Sequence, residues 1–209
     1  MQDYDAISIV LLHELFPKAN FTMVGDYEQN LLFTDNNSQT ISKVFNNAKF
    51  YDLTTNYRST SNISKFASNI VNKTYKSNFV REGDEPEIVY SSNFEENIRF
   101  IKEYIVKLKK KYERIAVICK SNNQVDLYKA YLPECYTLTE EKSNIEMNKP
   151  ILTSVFYAKG LEFDAVILPD ASRDVYNSDI DKNILYVAST RAMQKLIVMY
   201  IKEKSKLLG

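Results

Sequence analysis

Short apolar segments alternate with stretches of helical periodicity along most of this 209-residue chain. The run that follows Arg114 and ends at Cys119 is continuously apolar, which is typical of a strand buried on both faces of a parallel sheet. Helical patterns cover residues 5–16, 60–73, 97–112, 122–132 and 180–194, with a short one that ends near residue 46. Further strands are predicted at residues 20–24, 50–53, 87–90, 135–138, 151–156, 164–169 and 196–201. This alternation predicts an α/β protein with an open, mostly parallel sheet and helices on both faces.

Composition indicates an ordinary globular protein. Hydrophobic residues make up 44% of the chain and charged residues 26%, close to globular averages. No apolar run approaches the roughly 18 residues of a membrane span, and the first residues lack a signal-peptide pattern. The two cysteines suggest neither a disulfide framework nor a metal site, and they fit a reducing compartment. We therefore expect a cytoplasmic protein with no membrane partner and no metal held by its own residues.

Net charge does not indicate nucleic-acid binding, because Lys plus Arg and Asp plus Glu both number 27. A protein that grips a single strand through a few backbone contacts needs only a local positive groove. The lysine-rich run at residues 107–111 falls on a helical pattern, and we interpret it as a solvated helix face.

One group of polar residues follows the predicted strand at residues 20–24. Gly25 and Asp26 end that strand, and Gln29 comes just after them. Ligands of open α/β sheets bind beyond strand ends, and an amide there could hydrogen-bond a phosphate oxygen or an attacking water. Taken alone, a strand followed by Gly-Asp is also a common turn.

A second group, Tyr57 and Arg58, combines an aromatic ring with a guanidinium. The ring could stack on a nucleotide base, and the guanidinium could stabilise charge on a transferring phosphoryl group. Arginine suits that task better than lysine because its planar fork matches phosphate geometry. An isolated Tyr-Arg pair is more often a packed tyrosine beside a surface arginine.

A third group precedes the strand predicted at residues 164–169. Within Lys159-Gly160-Leu161-Glu162, the glycine permits a tight turn, while the lysine and the glutamate could reach a phosphate and a sugar hydroxyl. Arg191 falls late in the helix predicted over residues 180–194, where it could provide a second arginine that reaches a phosphate.

The order of these groups resembles the later motifs of the UvrD/PcrA-like superfamily 1 helicases, over about residues 20–200. The resemblance is carried by Val24-Gly25-Asp26-Tyr27-Glu28-Gln29, Asn56-Tyr57-Arg58-Ser59-Thr60, Ala158-Lys159-Gly160-Leu161-Glu162-Phe163 and Leu185-Tyr186-Val187-Ala188-Ser189-Thr190-Arg191-Ala192. In that family two RecA-like domains close on ATP with Mg²⁺ and step along single-stranded DNA in the 3′ to 5′ direction. The resemblance implies the RecA-like fold of P-loop NTPases for the sheet predicted above.

The resemblance also implies individual roles at the nucleotide. Tyr57 would stack near the adenine, and Arg58 and Arg191 would act as arginine fingers. Glu162 would contact the ribose, and Gly160 would shape its loop. These five residues are the expected nucleotide-facing set.

Other residues are implied to link the nucleotide to DNA. Gln29 would couple ATP to the strand, and Ser154 and Lys159 would contact the nucleic acid. Phe156 stands where the family usually has a histidine, which puts the DNA-linked coupling at that position in doubt. Single-stranded DNA is the expected partner.

The chain lacks some parts of the family's ATP site. No Gly-x-x-x-x-Gly-Lys-Ser/Thr phosphate loop occurs in the sequence. Gln2 matches the glutamine of the Asp-Glu-Ala-Gln-Asp metal-binding motif, whose two leading carboxylates are missing. We therefore expect a fragment that is inactive alone, with residues 1–52 ending the first RecA-like domain and residues 53–209 forming the second. Its expected partner is the N-terminal half of the same helicase.

Two function classes remain open. The stretch between Arg58 and Ser154 is too short for the large helical insertion of UvrD. The run from Leu15-Phe16-Pro17 to Gly25-Asp26, with Tyr157-Ala158-Lys159-Gly160-Leu161-Glu162-Phe163-Asp164, resembles HelD, a UvrD-like ATPase that binds RNA polymerase. The parent protein would then be either a DNA helicase or an ATP-driven remodeller whose partner is RNA polymerase.

Overall fold

The computed structural model describes residues 4–26, 29–31, 38–53, 56–73, 81–139 and 148–209. The chain divides into two compact units, Met1–Thr54 and Thr55–Gly209. The assignment of residues 1–52 and 53–209 to a first and a second RecA-like domain stays a prediction. None of the helices in the described ranges has the length and apolar character that a membrane span requires.

The described part of the smaller unit contains two α-helices, α1 (Ala6–Leu15) and α2 (Ser38–Val44). Asp5 caps α1 by accepting a hydrogen bond from the Ser8 backbone N–H at 2.7 Å. The strands predicted at residues 20–24 and 50–53 are wrong, because neither segment is paired in a sheet. A strand needs a neighbour whose backbone groups bond its own N–H and C=O groups, and the described residues of this unit provide none.

The larger unit is built on one six-stranded sheet with the strand order β1-β6-β5-β2-β4-β3. Every neighbouring pair in this sheet is parallel, which confirms the predicted α/β fold. The strands are β1 (Glu87–Ser91), β2 (Ile115–Cys119), β3 (Tyr136–Leu138), β4 (Ile151–Ser154), β5 (Phe163–Leu168) and β6 (Ala192–Ile201). The helices are α3 (Ser61–Ile70), α4 (Phe94–Leu108), α5 (Asn122–Lys129), α6 (Val155–Ala158) and α7 (Asp179–Ser189).

Helices cover both faces of this sheet. Residues of β2 that point to one face, such as Val117, form a core with side chains of α4 and α5. The alternate residues Ala116 and Ile118 are just as buried, on the opposite face. Helices α3 and α7 pack on each other and on β6. This double burial explains why β2 is apolar along its whole length.

An ion pair fixes the start of α7 to the end of β2. The Lys120 ammonium lies 2.5 Å from a carboxylate oxygen of Asp181, which also forms the capping box of α7 with Ser178. Burial raises the pKa of the Asp181 carboxyl, but hydrogen bonds from Lys120 and from two backbone N–H groups outweigh it and leave the pKa lowered. The carboxylate is therefore held ionised at neutral pH.

Candidate functional site

Two of the predicted site residues directly precede neighbouring strands of the sheet. Glu162 stands immediately before β5 and Arg191 immediately before β6, and these strands are paired from Phe163 and Ala192 onward. The Arg58 side chain contacts Glu162. The site therefore lies at the amino-terminal edge of the sheet, opposite to the carboxyl edge that open α/β sheets usually use for ligands.

The loop before β5 contains the tight turn that the sequence predicts. Lys159 has φ −60° and ψ 130°, Gly160 has φ +83°, and the Leu161 N–H donates to the Ala158 carbonyl at 3.0 Å. These values define a type II turn, whose third residue needs a positive φ and is therefore usually glycine. A Cβ atom at Gly160 would meet no neighbour, so the backbone conformation alone requires glycine there.

Arg58 and Glu162 form an ion pair across 104 positions of sequence, with the arginine Nε 2.6 Å from a glutamate oxygen. The two side chains are 44% and 36% exposed. Both charges thus lie at the surface, where a ligand can reach them.

Asn56 sets the backbone of the Arg58 loop. Its side-chain oxygen accepts hydrogen bonds from the N–H groups of Arg58 at 2.8 Å and Ser59 at 3.4 Å, as in an Asx turn. Its amide nitrogen donates to the Ser64 hydroxyl of α3 at 2.7 Å. Tyr57 lies inside this turn, and 69% of its surface is exposed.

The residues that follow Arg58 are bonded to the start of β6. The Ser59 hydroxyl donates to the Ala192 carbonyl at 2.7 Å, and the Thr60 N–H donates to the Met193 carbonyl at 3.1 Å. Because Ala192 directly follows Arg191, these bonds bring two motifs far apart in sequence onto one edge of the sheet.

Arg191 is buried, with 1% of its surface exposed. Its guanidinium donates to the Val187 carbonyl at 3.1 Å and to the Leu161 carbonyl at 3.4 Å. The Arg191 carbonyl in turn accepts from the Phe163 N–H at 3.0 Å. In this structure Arg191 ties the end of α7 to the loop that carries Glu162, and its role as an arginine finger stays a prediction.

A segment that the sequence analysis did not single out supports the Arg58 loop. Arg81 donates from its guanidinium to the Arg58 carbonyl at 3.0 Å, and its own carbonyl accepts from the Ser61 N–H at 2.9 Å. A Cβ atom at Gly83 would lie 2.3 Å from the Thr60 side chain, so only glycine fits there without displacement of Thr60. No local pattern in the sequence marks these contacts, because they join residues about twenty positions apart.

The predicted nucleic-acid contacts differ in their exposure. Ser154 ends β4 with 1% of its surface exposed, and its buried hydroxyl has no hydrogen-bond partner among the described residues. Phe156 on α6 is 56% exposed and stands edge-on to the Tyr157 ring at 5.3 Å. Lys159 is partly exposed beside Gly160. A contact from Ser154 to a phosphate therefore requires movement of the residues that cover it.

Gln29 belongs to the smaller unit, where its amide donates to the Asp26 carboxylate at 2.9 Å. Gln2, Tyr27 and Glu28 lie outside the described residues. Within the described ranges, no group of three or more His, Cys, Asp or Glu side chains is arranged to hold a metal ion.

Two family models of the UvrD-like helicase C-terminal domain match the chain, one over residues 51–137 and the other over residues 151–199. Among solved structures, the chain is similar to the C-terminal domain of a possible DNA helicase from Lactobacillus plantarum WCFS1. The identity is 29% and the TM-score 0.65, over 73% of this chain and 92% of that one. The C-terminal part of the Fun30 ATPase domain matches at 13% identity over 94% of this chain and 78% of that one, with a TM-score of 0.36. No protein of curated function matches the sequence.

These comparisons agree with the geometry. The larger unit has the α/β fold of a helicase C-terminal RecA-like domain. In sequence it is similar to the UvrD-like helicase C-terminal domain over both matched segments. Neither match points to the HelD subgroup.

Proposed function

We propose that this chain is the C-terminal motor part of an ATP-dependent DNA helicase or translocase of the UvrD type. The observation that carries the proposal is the contact between Arg58 and Glu162, next to the bonds that join the Arg58 loop to the residue after Arg191. Three motifs that are separate in sequence thereby form one edge of the sheet. A nucleotide that lies against this edge can meet Arg58 and Glu162 directly, and Arg191 after rearrangement.

Each side chain at this edge has a task that its chemistry allows. The Arg58 guanidinium stabilises the negative charge that develops on the γ-phosphoryl group during transfer. The exposed Tyr57 ring stacks on the adenine. Glu162 accepts a hydrogen bond from a ribose hydroxyl, on a loop whose shape depends on Gly160 and on the Arg191 bond to Leu161. In this structure Arg191 bonds to this loop, and it reaches the phosphates only after its side chain rearranges.

The phosphate loop and the Mg²⁺ carboxylates of the site are supplied by other residues, on the same polypeptide or on another. The smaller unit supports this proposal because several apolar side chains of α1 are exposed, with Ile7 at 70% and Leu15 at 68%. Helix α1 is mostly apolar, and its apolar residues are not confined to one side, which is typical of helices buried within a larger domain. We infer that this unit completes a first RecA-like domain, in which Gln29 senses the nucleotide.

A second candidate function follows from Phe156. Its exposed ring stands where the related helicases usually couple DNA to ATP through a histidine, and a phenyl ring cannot donate a hydrogen bond to a phosphate. The alternative is therefore a HelD-type ATPase that acts on RNA polymerase rather than on DNA. Ser154 and Lys159 would then have no strand to contact.

The ATPase rate tests the proposal. The isolated chain is expected to hydrolyse no ATP, because nothing in its sequence cradles the phosphates. When the chain is joined to residues that supply a phosphate loop, this extended protein is expected to hydrolyse ATP faster in the presence of single-stranded DNA.

If the isolated chain hydrolyses ATP and the R58A variant does not, the proposal that other residues supply the phosphate loop is contradicted. An extended protein whose ATPase ignores single-stranded DNA but responds to RNA polymerase would replace the helicase with the polymerase remodeller. The change Lys110→Ala, at an exposed lysine two residues after α4, serves as a control for loss of a surface positive charge.

A further inference from the structure

We propose that Glu162 acts as a latch on Arg58, so that a nucleotide binds by exchanging this ion pair for two new contacts. The inference rests on the proposed function and adds a regulatory device to the same site. The starting observation is that the two side chains expected to meet opposite ends of the nucleotide are bonded to each other, at 2.6 Å. While they are paired, the Arg58 Nε–H is not available to a phosphate, and the Glu162 carboxylate beside it repels an approaching anion.

The backbone on each side is fixed without help from the ion pair. The Arg58 N–H is bonded to the Asn56 side chain, and the Arg58 carbonyl accepts from Arg81. Glu162 follows the type II turn, and Arg191 holds the carbonyl of the preceding Leu161. Opening the pair therefore needs only side-chain rotation.

The strength of the pair suits a reversible latch. Exposed ion pairs of this kind contribute about 0.2 to 1 kcal/mol, which corresponds to a factor of up to about five in a binding constant. A triphosphate carries more negative charge than one carboxylate and can bond a guanidinium through two oxygens, so it can displace the carboxylate. The latch thus weakens phosphate binding without preventing it.

The exchange also distinguishes between ligands. Inorganic triphosphate can bind the Arg58 guanidinium, but the released Glu162 carboxylate then lies beside a polyanion, and the two negative charges repel each other. ATP offers a ribose hydroxyl to the same carboxylate and so satisfies both released partners. The latch therefore favours a nucleoside triphosphate over the bare polyphosphate.

Calorimetric titration of the 209-residue chain with inorganic triphosphate and with ATP tests the latch, in the original protein and in E162Q, R58Q and E203Q. Glutamine at position 162 keeps the size of the side chain but removes its charge, so E162Q is expected to bind triphosphate up to about fivefold more tightly. The affinity for ATP should rise less than the affinity for triphosphate, because the neutral amide of E162Q accepts a hydrogen bond from the ribose hydroxyl more weakly than a carboxylate does. The change E203Q is the matched control, since it removes the charge from the exposed Arg173–Glu203 pair beyond β6, at the other edge of the sheet, and should change neither affinity.

Triphosphate binding that is equal or weaker in E162Q, or absent from every variant at millimolar concentration, would overturn the latch. If R58Q still binds ATP more weakly than the original chain does, the assignment of the nucleotide site is supported and only the latch is contradicted. If R58Q, E162Q and the original chain all bind ATP with the same affinity, both the latch and the assignment of this edge to the nucleotide are contradicted. Matching thermal unfolding of the variants confirms that each affinity belongs to a folded chain.

Discussion

Replacement of Arg58 by alanine is expected to lower kcat for ATP hydrolysis about a thousandfold or more in the protein extended to its phosphate loop. An arginine that stabilises the charge of the transferring phosphoryl group contributes a factor of that size. Alanine removes the whole guanidinium, while the loop remains held by Asn56 and by the bonds of Ser59 and Thr60 to β6. Steady-state ATPase assays at saturating ATP measure the effect.

Two further variants sharpen this test. R58K keeps the charge but loses the planar fork, so its kcat is expected to lie between those of R58A and the original protein. R173A removes an arginine from a comparable exposed ion pair at the other edge of the sheet and should leave kcat unchanged. A fall of less than tenfold in R58A would mean that Arg58 does not contact the transferring group.

Replacement of Arg191 by methionine is expected to destabilise the 209-residue chain by about 2 to 4 kcal/mol. Methionine fills part of the buried space but leaves the Val187 and Leu161 carbonyls without the donors that Arg191 supplies. Urea unfolding followed by circular dichroism measures the loss, with R114M as a control at an arginine that is half exposed.

Replacement of these two arginines should therefore affect different properties of the protein. R58A should change kcat and leave the free energy of unfolding within about 0.5 kcal/mol, because it removes a side chain from the surface. R191M should change both stability and, in the extended protein, ATP hydrolysis, since the Glu162 loop depends on it. An R191M chain as stable as the original would show that the buried hydrogen bonds of Arg191 are replaced by others.

The sheet and most of its helices were predictable because burial determines sequence pattern at close range; α6 was not, since its first two residues lie within the strand predicted at residues 151–156. The uninterrupted apolar run that ends at Cys119 became the fully buried β2, and the periodic segment at residues 97–112 became α4. The segments at residues 20–24 and 50–53 are also rich in apolar residues but form no strand. Apolar residues show that a segment is suited to a strand, whereas the strand itself requires a partner.

The site was predictable only in part. Its residue types and order pointed to a nucleotide, and the turn at Gly160 was expected from the glycine itself. The pairing of Arg58 with Glu162 and the burial of Arg191 depend on contacts between distant segments, which local pattern does not encode. The support from Arg81 was missed for the same reason.

A crystal structure of the extended protein with ADP and tetrafluoroaluminate tests whether the nucleotide lies at this edge of the sheet, because this complex mimics the transferring phosphoryl group. We expect the Arg58 guanidinium to leave Glu162 and donate to the fluoroaluminate, with the Tyr57 ring against the adenine and Glu162 on the ribose. A bound nucleotide that meets none of these three side chains, with the ion pair intact, would contradict it.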